Sequence, residues 1–577
     1  MSTARTPSAR TQLPAAAAAG AAQASPSGGR PDRRRAVTAA AGRIAPVLIP
    51  VVVMVVLGLW GLRRDSDMGN DEVATRWAAG LSLRQLAHLL RHVDAVHGLY
   101  YLLIHCWLVV GGSPAVIRIP SVLAMAVAVA LAAIVARRLT GSGAAGLFAG
   151  LMMALTPSIS YYAQTARSYA LVVACVLGAT LALLRALDAE LAGTPAPWRR
   201  PGAGGAFTSR RWLVYGALMV LAIYLNEMAA LALAAHLVTV LLARPGRAVL
   251  QRWLAVSVAA VVIAVPLILL SYTQDAAVAW IARPDLDSVR TLFRDYFGPS
   301  VAVSAILVLC AVIAVLPEHV LPERGRAEGG GADREHPAVG RVSVLTVAAP
   351  LLVIPAGLLL AESLVAPPLY VDRYVLYGEA GAAILAGAGL ARIGRLLAGL
   401  VAQAGTAPSA GAGRPAVAVR RTSAWWLPGI VVCILALVLQ LGAQRFDRTP
   451  GSRLFNFGAP SQYIGAHARP GDGVLYLGTL FRKAELGYPA DYRKVTDFGV
   501  ARTAMQAGNF RGTDEPFSVT GPLMLKYPRI WVIGSVAPSL QLKPQVLAQE
   551  SQVLQSDFSL AARRHYRGIT LTLWVRR

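Results

Sequence analysis

Charge is scarce in this chain. Asp, Glu, Lys and Arg together supply 15% of the 577 residues while 55% are apolar, and a mean hydropathy of +0.53 excludes a water-soluble globular fold. A polytopic α-helical membrane protein is what remains. Cysteine is scarce too. Cys106, Cys175, Cys310 and Cys433 lie in or beside apolar stretches without metal-ligand spacing, so neither a disulfide framework nor a zinc site is expected. Lysine is nearly missing, with four residues, all beyond position 480, against 51 arginines, a bias that reads as genome composition and supports no site. Arginine is abundant, and the net charge of +25 raises the question of nucleic acid. The arginines flank apolar segments instead of gathering on one face, so no nucleic-acid partner is expected and membrane topology accounts for them.

Eleven apolar stretches are long enough to span a bilayer, or nearly so: 44–62, 119–137, 143–160, 168–187, 212–225, 228–243, 253–272, 298–316, 341–362, 374–392 and 424–443. An odd count puts the two ends of the chain on opposite sides. With the N-terminus inside, the inner segments carry 26 basic residues and the outer loops 11, which places the N-terminus in the cytoplasm, the C-terminus outside and the protein in the plasma membrane. Residues 1–41, rich in Ala, Ser, Pro and Gly, are expected to form a disordered cytoplasmic tail. A membrane domain then covers 42–443, with 63–118 as its first external loop. Residues 444–577 contain no span but carry strand-like runs at 473–477, 530–533 and 569–575 and helical stretches near 459–468 and 540–556, a small external α/β domain.

Three groups of polar residues fall on the outer side. Asp71 and Glu72 follow the first span by about ten residues, and carboxylates beside a bilayer are costly unless they face water, a partner or a substrate. The loop from 63 to 118 shows helical patterning in Leu83, Leu86, Leu89 and Leu90, followed by the apolar stretch His97 to His105. Interfacial or re-entrant helices are expected there. Asp94 and His97 are its candidates for lining a pocket, whereas Tyr101 and His105 read as interfacial anchors. After the third span, Tyr161-Tyr162-Ala163-Gln164-Thr165-Ala166-Arg167-Ser168-Tyr169 sets a guanidinium at the headgroup level, and Tyr370-Val371-Asp372-Arg373-Tyr374 repeats that chemistry. Glu227 in a tight turn, with Arg283, Arg290 and Arg294, adds polar groups on the same face. A guanidinium is a bidentate partner for phosphate.

In their order and shared side these motifs resemble the C-type glycosyltransferase superfamily, specifically the family 39 branch of protein O-mannosyltransferases and the lipid A aminoarabinose transferase, over residues 44–443. The Asp-Glu pair that opens the family's first external loop is matched by Asp71-Glu72. The His-Pro-Pro-Leu-Tyr-Tyr-like helix is matched by His97-Gly98-Leu99-Tyr100-Tyr101 without its prolines. The Tyr-x-Gln-Glu-Ala-Arg-x-Tyr element is matched by Tyr162 to Tyr169, with Thr165 where the family often has Glu. The resemblance implies an inverting transfer of a sugar, mannose first, from a polyprenyl-phosphate donor to an acceptor hydroxyl of a glycan, lipoglycan or protein Ser/Thr at the outer leaflet. Asp71 is then the general base, with Glu72 orienting base or acceptor. Arg167 and Arg373, with Gln164 and Tyr162, hold the donor phosphate. Asp94, His97, Tyr100, Glu227 and Tyr374 line the substrate pocket. The leaving group is already an acidic phosphate, so no second acid, metal or other cofactor is expected. The rivals are a pentosyl transferase of the same fold, an inactive scaffold, and a lipid or solute transporter, although no internal repeat of the kind transporters carry is present.

Overall fold

A computed structural model of the chain describes residues 33–63, 68–191, 210–316, 342–404, 426–453, 455–535 and 544–577. Most of the tail expected to be disordered, residues 1–32, lies outside the described residues. The chain divides into two units between Ile44 and Ala45, and the site belongs to the second.

The chain opens with α1 (Arg33–Leu59), then three short helices of the first loop, α2 (Asn70–Ala79), α3 (Leu83–Leu90) and α4 (Gly98–Trp107). Next come α5 (Pro114–Thr140), α6 (Gly143–Leu155), α7 (Pro157–Ala163), α8 (Tyr169–Leu191), α9 (Arg210–Leu225), α10 (Leu231–Ala243) and α11 (Arg247–Tyr272). The bundle is completed by α12 (Leu286–Phe297), α13 (Val301–Val315), α14 (Val344–Val365), α15 (Gly378–Ala404) and α16 (Leu427–Phe446). The apolar stretches read from the sequence fall on these helices, with 143–160 divided between α6 and α7, but fewer than eleven of them have the length and composition of a span. Among the described residues six helices, α5, α8, α11, α14, α15 and α16, are long and apolar enough to cross a membrane. The bent pairs α6–α7 and α12–α13 raise that to as many as eight, and Ile44–Leu59 and Glu227–Ala243 are shorter apolar helices.

The bends have local causes. Thr156, the residue before Pro157, is held at extended backbone angles, as the proline ring demands of its predecessor, and α7 leaves α6 at 69°. Between α12 and α13 Gly298 takes φ +90, a value that side-chain-bearing residues rarely adopt, and the chain turns by 75°. Helix α15 sits at the centre because its glycines let it approach neighbours backbone to backbone. A Cβ on Gly387 would lie 2.3 Å from the Ala149 nitrogen of α6, and one on Gly389 would lie 1.9 Å from the Cys310 carbonyl of α13, the small-residue contact that membrane helices use in place of a hydrophobic driving force.

After α16 come α17 (Gly458–His467), β1 (Asp472–Tyr476), α18 (Lys483–Gly487), β2 (Val495–Asp497), β3 (Val500–Arg502), α19 (Ala504–Ala507), β4 (Thr513–Asp514), α20 (Phe517–Met524), β5 (Arg529–Gly534), α21 (Pro544–Asp557), β6 (Phe558–Tyr566) and β7 (Ile569–Arg576). Five strands form one sheet in the order β2-β1-β5-β7-β6, parallel among the first three and antiparallel thereafter, while β3 and β4 pair apart. The strands expected from sequence are β1 and β5, both largely buried, and β7, mostly half-buried with threonines among its apolar residues; β6 was missed because it is an edge strand with most of its residues exposed. This strand-bearing part lies against the first loop. The Met68 amide donates to the Tyr488 hydroxyl at 3.1 Å and Arg76 donates to the Gly487 carbonyl at 3.0 Å, which seats α18 on α2.

Candidate active site

The site is assembled at the N-terminus of α2, where Asp71 and Glu72 occupy the first turn and carboxylates are favoured by the helix dipole. The two acids have different fates. Glu72 is 1% exposed and points inward, where Arg118 of α5, itself wholly buried, meets both its oxygens at 2.8 Å through Nε and a terminal nitrogen. The Ala166 amide donates to the same carboxylate at 3.0 Å. Burial pushes the Glu72 carboxyl up, and Arg118, with Arg453, more than reverses this, holding it at about 2. Expected to orient the base or the acceptor, Glu72 is taken up as a buried brace that ties α2 to α5 and to the turn before α8.

Asp71 remains about one-third exposed. One of its oxygens lies 3.5 Å from Arg167 and the other 4.0 Å from Arg373. Burial raises its carboxyl, but Arg167, then Arg373, hold it well below the usual carboxylate range. Arg167, only 5% exposed, also approaches Asp94 at 3.6 Å and donates to the Tyr101 hydroxyl at 2.8 Å, which in turn donates to Asp94 at 2.6 Å. Tyr101, read from sequence as an interfacial anchor, is therefore part of the cluster. His105, the other anchor, donates through Nδ1 to the Ala79 carbonyl at 2.8 Å. Asp94 is held at a left-handed φ of 56, a conformation that Asp tolerates better than most residues. His97 is buried beside the Tyr101 and Tyr169 rings. Burial, helped by Arg167, pulls its imidazole down to about 3 against the opposing pull of Asp94 and Asp71, so it is neutral at physiological pH.

Arg373 donates through Nε to the Tyr169 hydroxyl at 2.9 Å and lies over the rings of Tyr169, Trp280 and Tyr374. Tyr162 packs edge-on against Tyr169 and donates to Asp372 at 3.4 Å. The second and third external motifs thus converge on the first, as their shared side led us to expect. Other expected members stand elsewhere. Gln164, expected on the donor phosphate, donates to the carbonyls of Leu57, Gly58 and Trp60 that end α1; a buried amide sealing a helix C-terminus leaves no face for a ligand. Tyr100, expected in the pocket, is wholly buried against Ser121. The Glu227 carboxylate accepts from Ser271. Thr165, standing where an acid was expected, accepts from Arg453 at 3.0 Å.

Arg118, Arg453 and Lys483 are the members that sequence reasoning missed. Lys483 of α18 is 6% exposed, donates to the Asn70 side chain at 2.8 Å and lies over the Phe510 ring. Asn70 donates to Asp71 at 3.4 Å, so the last quarter of the chain reaches the acid through one intermediary. Burial, reinforced by Arg511 and Arg167, lowers the Lys483 amine to about 8 against the opposing pull of Asp94 and Asp71. In the unfolded chain this amine keeps its proton up to its ordinary value, so folding stability rises with pH between about 8 and that value. The charge at the site moves the other way and is lost above about 8. We expect turnover to fall across that pH in the native protein. In Lys483→Arg, whose guanidinium does not titrate there, the alkaline limb should vanish from the pH–rate profile.

Residues 98–198 match the family model described as dolichyl-phosphate-mannose-protein mannosyltransferase. No curated protein sequence matches. Among solved structures the chain is similar to ArnT from Cupriavidus metallidurans bound to undecaprenyl phosphate, with TM-score 0.51 and 15% identity over 92% of this chain and 98% of that one. It is also similar to the apo state of the same protein, with TM-score 0.51 and 16% identity over 93% and 98%. The archaeal oligosaccharyltransferase AglB from Archaeoglobus fulgidus is more distant, with TM-score 0.47 and 12% identity over 92% and 74%. The apolar helices and this likeness agree: the chain is a multi-span membrane protein that shares the fold of ArnT.

Proposed function

We propose that this protein is an inverting glycosyltransferase that moves a sugar from a polyprenyl-phosphate donor to an acceptor hydroxyl. The observation that carries this reading is Asp71, part-exposed and ionised between Arg167 and Arg373. The acceptor oxygen attacks the anomeric carbon from the face opposite the phosphate, its proton passes to an Asp71 oxygen, and the carbon–phosphate oxygen bond breaks with its electron pair going to the lipid phosphate. Arg373 and Arg167 meet the charge that grows on that leaving group. An acid held so far down is a weak base in the free protein. A donor phosphate drawing on the same guanidiniums raises its basicity, because added negative charge disfavours the carboxylate, and the attacking hydroxyl grows more acidic as its bond forms.

The family described by the 98–198 match makes mannose the first sugar to test, and the undecaprenyl phosphate named for ArnT supports a polyprenyl carrier. The basic-residue asymmetry supports a site, and residues 444–577 with it, on the outer face of the plasma membrane, with the N-terminus in the cytoplasm. The residues that bind, brace and accept the proton are all of this chain, and the reaction is proposed to run without a metal. Membranes containing the protein, incubated with radiolabelled polyprenyl-phosphate mannose, are expected to yield labelled product; absence of any label beyond the donor, with each of a glycan, lipoglycan and Ser/Thr peptide acceptor, would overturn the reading. Arg373→Ala is expected to raise the donor KM about 10- to 100-fold, the equivalent of a lost charged hydrogen bond, with a smaller change for Arg373→Lys.

A further inference from the structure

Beside Arg373 opens a cleft of about 360 Å³, at the small end of the range for small-molecule sites, about 300–1,000 Å³. It runs between the segment from Trp280 to Thr291 and the stretch Tyr370 to Asp372. Trp280 is 61% exposed, although a tryptophan ring normally seeks cover. One side of it meets the Arg373 guanidinium at 5.7 Å, which links the cleft to the Asp71 cluster, and most of the rest of the ring is open. Asp285, Asp287 and Asp372 contribute three carboxylates to the lining and Arg283 one guanidinium. Asp285 is engaged in capping α12 and Asp287 in pairing with Arg290. Asp372 accepts from the Tyr162 hydroxyl, within the aromatic cluster around Arg373.

Ionised carboxylates only accept hydrogen bonds, so this lining calls for a ligand that presents O–H donors. Its excess of negative charge disfavours a phosphate, which separates it from the guanidiniums that the donor needs. An open indole face asks in addition for a flat apolar surface. A sugar ring supplies both at once, with C–H bonds on its face and hydroxyls at its edge. Resting on the glycosyl-transfer reading above, we infer that the cleft is the acceptor subsite and that the acceptor is a carbohydrate, stacked on Trp280 and hydrogen-bonded to Asp372, with its reacting hydroxyl directed past Arg373 to Asp71. The small hydroxyl side chain of a Ser or Thr acceptor offers by itself no flat face to the exposed indole.

The test separates binding from transfer. Purified full-length Asp71→Asn protein is titrated with mannobiose, galactobiose and maltose, and with a Ser/Thr peptide, by saturation-transfer NMR. We expect at least one disaccharide to bind, Trp280→Ala on the same background to weaken it about tenfold, and Trp280→Phe to recover most of the loss. The ring is exposed, so its truncation does not threaten folding. Binding of no disaccharide, binding that Trp280→Ala leaves unchanged, or displacement of the sugar by the peptide alone would overturn the inference. If saccharides bind in this Trp280-dependent way but wild-type protein transfers no label from the donor, the cleft stands as a saccharide-binding site, and its acceptor role fails with the transferase reading. If label passes to the peptide and to no saccharide, the transferase reading stands and the subsite fails.

Discussion

Asp71→Asn is expected to lower the turnover number by about 10²–10⁴-fold, the usual contribution of a positioned general base, while the protein still inserts and purifies as the wild type does. The asparagine preserves shape and removes only the charge and the proton-accepting oxygen. Its contacts to Arg167 and Arg373 are long, at 3.5 and 4.0 Å, and the side chain is part-exposed, so little stability rides on them. A second readout makes the assignment sharper. With the carboxylate gone, the two guanidiniums no longer divide their attraction between an internal anion and the donor phosphate, so the donor KM should hold steady or fall while turnover collapses, the signature of an interaction made in the transition state. Near-normal turnover, or a loss carried wholly by the donor KM, would remove Asp71 from the role of base.

The neighbouring acid predicts a different failure. Glu72→Ala or Arg118→Ala leaves one charge buried without its bidentate partner, a change that costs about 3–5 kcal/mol when one side of a buried pair is removed. Either variant should show a lower unfolding midpoint in detergent and reduced recovery of folded protein. Arg118→Lys keeps the charge but cannot make two parallel hydrogen bonds to one carboxylate, and should fall between. If Glu72→Ala were as stable as the wild type yet inactive, the brace would be refuted and a role in substrate handling restored. Two adjacent acids thus separate by assay: one is lost from the rate, the other from the fold.

The contrast shows what the sequence carried and what it did not. Apolar run length pointed to the long apolar helices, because the bilayer imposes its thickness on composition, β1 and β5 were readable as short apolar runs, and β7 as β-branched residues alternating with leucines. The convergence of Asp71, Arg167 and Arg373 followed from placing their loops on one side. What could not be read was the direction each side chain takes. Asp71 and Glu72 are chemically alike and adjacent, but about 100° of helix rotation separates them, and only packing decides which one faces Arg118. Gln164 and Tyr100 belong to the same motifs as Arg167 and Tyr101, and the structure spends them on a helix end and on Ser121. Arg118 looked like one more loop arginine. Arg453 and Lys483 lie about 290 and 400 residues from their partners Thr165 and Asn70, a separation over which local pattern carries no signal.

That separation has a temporal side. A ribosome releases the chain from residue 1 onward, so the bundle, the acidic pair and both guanidiniums of the cluster are made well before Lys483 emerges, and domains generally form in that order. Until α18 arrives, nothing holds Asn70 from above and the amine that adjusts the local charge is missing. A nascent copy still attached to its ribosome therefore holds the acid–guanidinium cluster without its amine, and a chain stalled or clipped short of position 483 never acquires it.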